Sequence, residues 1–196
     1  MKKIWIYMLF AAILTVSVDV ATLINSTTTV TSSIWSDDVL STPFLDNHSE
    51  SVVVGHVIEI LPSQWNTPDR KKPKSSEAGL ASQDASIYTD VIIKVDKNVK
   101  GSTPATLVVR TLGGQVGDNS NFVEDEAKFE LGENVLLFLT KEDPFTDNSA
   151  GTHYRITGWK HGKFSITKDN QAVRPSVPAE YQKIPLGELL NSIGAQ

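Results

Sequence analysis

The stretch Ile87-Tyr88-Thr89-Asp90-Val91-Ile92-Ile93-Lys94-Val95-Asp96 decides the fold. Ile87, Thr89, Val91, Ile93 and Val95 fall on one side of an extended chain, and Tyr88, Asp90, Ile92, Lys94 and Asp96 on the other. Successive side chains of a strand point to opposite sides, so this alternation specifies a β-strand with one dry face. Upstream, Val52 to Ile60 reads as a strand buried on both sides and stopped by Pro62. Downstream, Lys100-Gly101-Ser102 turns into a strand from Thr106 to Leu112, and Val135 to Thr140 carries the Val-Leu-Leu-Phe-Leu run of a central strand. Tyr154 to Trp159 and Lys163 to Thr167 read as a hairpin around Lys160-His161-Gly162, with positive φ at Gly162. Leu186, Leu189, Leu190 and Ile193 follow Pro185 at helical spacing and predict one short C-terminal helix. Five or six strands and one helix make a mostly β domain, a small barrel or a sandwich.

Lys2 and Lys3 precede an apolar run from Ile4 that Asp19 closes, which is the grammar of an export leader. The expected organisation is a signal peptide over 1–21, a Ser/Thr-rich linker over 22–47 and one domain over 48–196 with an exposed loop at 63–86. Within the linker, Phe44 and Leu45, with Trp35, Val39 and Leu40, are expected to dock as a short helix or turn. The destination is secreted or cell-surface, with membrane contact only through an uncleaved leader. The absence of cysteine excludes disulfides, thiolate metal sites and thiol nucleophiles. A formal charge of −5 without a basic stripe argues against nucleic acid as a partner. Sequons at Asn25 and Asn47 are candidate glycan acceptors.

The segments Ser51-Val-Val-Val-Gly-His-Val57, Tyr88 to Gly101, Leu107-Val-Val-Arg-Thr111 and Phe129-Glu-Leu-Gly-Glu-Asn-Val-Leu-Leu-Phe-Leu139 together resemble the netrin-like domain of the tissue-inhibitor-of-metalloproteinase superfamily. The resemblance covers roughly residues 50 to 167 and implies an OB-like barrel. Inhibitors of that superfamily act through an N-terminal cysteine. This chain has none, so the resemblance carries over a fold and no activity.

Chemical signatures are sparse. His48, His56, His153 and His161 show no paired metal-ligand spacing, so neither metal nor cofactor is expected. Glu124-Asp125-Glu126 reads as a solvated loop, and Gly113-Gly114-Gln115-Val116-Gly117 as a strand connection rather than a phosphate loop. Without a catalytic signature, the expectation is a non-catalytic binding module. Trp65, Tyr88 and Trp159 are the candidate ligand-binding aromatics, and the partner is an extracellular protein or glycan. A second expectation is a structural subunit that self-associates through strand pairing of the 22–47 segment. An exported hydrolase using a carboxylate such as Glu126 is the third.

Overall fold

The computed structural model describes residues 27–31, 41–73, 86–143, 152–174, 177–178 and 182–194. The expected leader, Asn25, Trp35, Val39, Leu40 and residues 74–85, half of the expected 63–86 loop, lie outside them. The strands are β1 (Thr27–Thr31), β2 (Ser51–Ile60), β3 (Gln64–Trp65), β4 (Ile87–Lys100), β5 (Thr106–Leu112), β6 (Gly114–Val116), β7 (Asn119–Val123), β8 (Asn134–Thr140), β9 (Arg155–Ile156), β10 (Lys163–Ile166), β11 (Gln171–Val173) and β12 (Lys183–Pro185). Helix α1 spans Thr42–Asn47 and α2 spans Leu186–Ser192. The protein is mostly β, as its patterning dictates, though many short strands raise the number above five or six.

The large sheet runs β12-β11-β10-β8-β2-β4-β3, with β5 also on β4 and β9 also on β8. All of its strand pairs are antiparallel. One further bridge joins Val109 to Tyr154 in parallel, through Arg110 N–H to Tyr154 O at 2.9 Å and Tyr154 N–H to Val108 O at 2.8 Å. It brings β5 beside Tyr154, the residue that precedes β9.

Strands β2 and β8 lie between two cores. Val53, Val57, Val91, Ile93, Leu107, Val109, Val135, Leu137, Leu139, Tyr154 and Ile156 pack on one side. Val52, Leu136 and Phe138 face the other, where Leu45 of α1, Phe164, Ala172 and Leu189 of α2 cover them. A strand buried on both faces has no reason to alternate, which explains the unbroken apolar run of β8. Phe44 and Leu45 do dock as part of a short helix. Pro43 suits its first turn, and Ser41 Oγ caps it by accepting the Phe44 N–H at 3.3 Å.

Three expectations about local structure are corrected. The double burial of β2 stops at Val57; Ile58 and Ile60 are about two-fifths exposed, past register shifts that re-aim the strand. Residues 154 to 166 do not form a hairpin. They run along one edge of β8, Arg155–Ile156 opposite Thr140–Leu139 and Lys163–Ser165 opposite Leu137–Val135, with a 3-10 helix (Trp159–Gly162) inserted between. Positive φ falls at Gly158 and Trp159 rather than Gly162. The loop expected from residue 63 begins as structure, because Gln64–Trp65 pairs with Tyr88 and Ile87, and Asn66 and Thr67 are buried.

Candidate functional site: a groove at the end of the sheet

Where β4 begins and β5 ends, the first core opens into a groove of about 250 Å³. Thr89 and Val91 of β4 and Thr111 of β5, the register partner of Thr89, form its floor, since same-face residues of paired strands stand side by side, and Leu112 lines its end. Beyond β5 the chain turns away at Gly113 and Gly114, whose φ values of 104° and 132° suit glycine alone. The β6–β7 hairpin that follows brings up Asn121, Phe122 and Val123 as one wall. The returning segment sets Glu126 and Phe129 beneath the end of the sheet, and Ile60 completes the rim. Ile60 and Phe122 are each 40% exposed, and Lys128 Nζ lies 4.8 Å from the centre of the Phe122 ring.

The hydroxyls around this groove are engaged. Thr89 Oγ1 donates to Gly113 O at 2.9 Å and shares a hydrogen bond with Ser63 Oγ, and Thr111 Oγ1 donates to Thr89 O at 3.2 Å. Glu126 is buried and accepts from Arg155 Nη2 at 2.6 Å and from Leu112 N–H at 3.0 Å. Burial pushes the Glu126 carboxyl above its ordinary range, against the pull of Arg155. Among the described residues Asn121 Oδ1 is the exception, a buried groove-wall acceptor that no donor answers.

Around Glu126 the charges are paired. Asp125 takes Lys160 Nζ at 3.0 Å, Asp143 meets His153 Nε2 at 2.7 Å, and Asp90 takes the Arg110 fork at 2.7 and 2.8 Å. The expectation of a solvated Glu124-Asp125-Glu126 loop is therefore corrected. Asp125 and Glu126 are buried, held by cations that arrive from residues 155 to 160. His161, read as a turn residue, is 4% exposed, and burial beside Lys160 and Arg174 lowers its pKa to about 4.

The three candidate aromatics do not form a platform. Tyr88, expected on an outer face, is 2% exposed, with the Arg110 and Arg70 guanidinium groups 3.9 and 5.5 Å from its ring centre. Trp65, expected on an exposed loop, is 8% exposed because its segment adds an edge strand to β4. Trp159 is half-buried in the 3-10 segment, its ring centre 5.0 Å from the Arg155 guanidinium. None of the three lines the groove. Asn47 is exposed but is the last residue of α1 rather than part of a tether, and Ser49 of its sequon is buried, donating to Leu45 O at 2.6 Å.

Sequence reading missed Asn121 and Phe122. Their signal was an extended Asn-Ser-Asn-Phe-Val run just after a glycine turn, too polar to stand out as a strand. Among the described residues no three His, Asp or Glu side chains are grouped to hold a metal ion, and no helix is long and apolar enough to cross a membrane. No protein-family model matches this chain, and no curated protein matches it.

Proposed function

We propose that this chain is an exported, non-catalytic binding module that holds an extended segment of a protein partner, with an apolar side chain of that segment seated between Ile60, Phe122 and Phe129. The observation that carries the reading is the groove itself. Its walls are mostly apolar and its hydroxyls are committed to neighbouring groups. A site of this composition recognises rather than reacts. Its one carboxylate, Glu126, is neutralised by Arg155, which disfavours a hydrolase. Two of the three candidate stacking rings, Trp65 and Tyr88, are covered, which disfavours a glycan.

The fold we infer is the OB-like barrel that the netrin-like resemblance implies. The parallel bridge from Val109 to Tyr154 supports it, because it draws β5 toward the start of β9 across the first core, as a closing sheet would. Export rests on Lys2, Lys3 and the apolar run after them.

Panning a random peptide library on the purified chain tests the function. Enriched peptides carrying one apolar anchor are expected, with affinity falling at least about tenfold for the Ile60→Ser, Phe122→Ser variant, roughly 1.4 kcal/mol. Peptides indifferent to both substitutions, or glycan-array binding in their place, would remove the groove from the reading.

A further inference from the structure

The stretch read as a polar tether contributes a strand. Thr27–Thr31 lies parallel to β7, with Thr27 opposite Asn119 and Thr31 opposite Val123. On its other side, among the described residues, β7 pairs with β6 alone, in a hairpin of five and three residues. Two-stranded ribbons of this size are marginal, and a third strand supplies the main-chain partners that β7 otherwise lacks. All five residues of β1 are β-branched and uncharged, a composition that favours extended chain and encodes little side-chain specificity. Nine residues, 32–40, join β1 to Ser41, a reach of up to roughly 30 Å when extended. That length serves a neighbouring copy as readily as the chain's own β7.

We propose that the outer edge of β7 is a strand-acceptor site for this Thr-rich segment, filled in cis when chains are dilute and by the segment of a second copy when they are crowded. The two arrangements make the same ladder, so effective concentration decides between them. A connection of only nine residues gives an effective concentration on the order of millimolar for the cis form. Exchange becomes competitive only where copies are packed to similar density. The site does not depend on what occupies the groove, although β7 supplies one wall of it.

The missing cysteines make a direct test clean. Thr28 and Ser120 are register partners, and neighbouring strands lie within the Cα separation that a disulfide spans. The full chain carrying both Thr28→Cys and Ser120→Cys is expected to close an internal disulfide. A concentrated mixture of differently tagged Thr28→Cys and Ser120→Cys chains is expected to accumulate a mixed disulfide dimer. Its yield should exceed by about fivefold that of a mixture in which Glu188→Cys replaces Ser120→Cys, since only ladder pairing raises the local concentration. Circular dichroism of each reduced variant confirms that it is folded. An internal disulfide without the mixed dimer would show that the edge is closed to a second copy and overturn the proposal. Failure of both would remove the β1–β7 ladder itself.

Discussion

Glu126 Oε1 and Arg155 Nη2 meet at 2.6 Å, joining two buried residues 29 positions apart beneath the groove. The same carboxylate oxygen accepts the last β5 amide, Leu112 N–H. The pair thus ties the end of β5 to the start of β9, near the place where Tyr154 bridges Val109.

Removing one partner of a buried ion pair strands the other in a poor solvent. Arg155→Met is expected to cost about 3–5 kcal/mol, whereas Glu126→Leu with Arg155→Met is expected to recover most of that loss. Urea unfolding of the two singles and the double checks it, and additive losses would contradict it. Glu126 already has a raised pKa, which Arg155→Met should raise further. Its protonated form then favours the fold, so the deficit of the single variant should shrink as pH falls toward 4.

His161 sets a second pH dependence of opposite sign. Its pKa is lowered from 6.5 to about 4, first by burial and then by Lys160 and Arg174. A depressed pKa contributes stability that is complete above the unfolded value and is lost as pH falls through the folded one. Wild type should therefore lose on the order of 2–3 kcal/mol from this residue between pH 7 and pH 4. Chemical denaturation at the two pH values should show a smaller fall for His161→Leu, and parallel falls would contradict the assignment.

Two glycines should respond to alanine in opposite directions. At Gly162 an added Cβ would clash with Thr157 O and meet Ile156 Cγ2 at 2.9 Å, so the 3-10 segment would have to shift. A loss of about 2 kcal/mol or more is expected. Gly187 lies in α2 with nothing within 4 Å of that position, and Gly187→Ala should stabilise by roughly 0.5–1 kcal/mol through helix propensity. Thermal melts of the two variants provide the comparison.

Asp46 fastens the chain end to the sheet. Its Oδ2 accepts Gly194 N–H at 2.8 Å and its Oδ1 accepts Lys100 Nζ at 2.9 Å. Burial raises this carboxyl, but the Gly194 and Lys100 hydrogen bonds outweigh it and hold the pKa below the ordinary range. Asp46→Ala is expected to cost about 2–4 kcal/mol, because bonds to charged groups contribute about 1.5–3 kcal/mol each. Amide exchange should quicken first at Leu189 and Leu190 of α2. Unchanged protection there would mean that the helix is held by packing alone.

What could be read from the sequence follows the reach of each physical rule. Period two located β4, and the apolar run of Val135–Leu139 located the central strand, since both patterns are local. Charge could not be read the same way. Glu124-Asp125-Glu126 looks solvated until Lys160 and Arg155 arrive from more than 25 positions away to neutralise it. Tyr88 looks exposed until Gln64–Trp65 and the arginines cover it. The groove escaped notice because Ile60, Thr111 and Phe122 belong to three strands of two separate sheets, and only the tertiary fold brings them together.

A two-dimensional amide NMR titration of the isotope-labelled chain with a selected peptide asks the decisive question directly. Binding in the groove predicts the largest shifts at Thr111, Leu112, Asn121 and Phe122. Shifts confined to α2 and the β11–β12 edge, with those four amides unmoved, would contradict it.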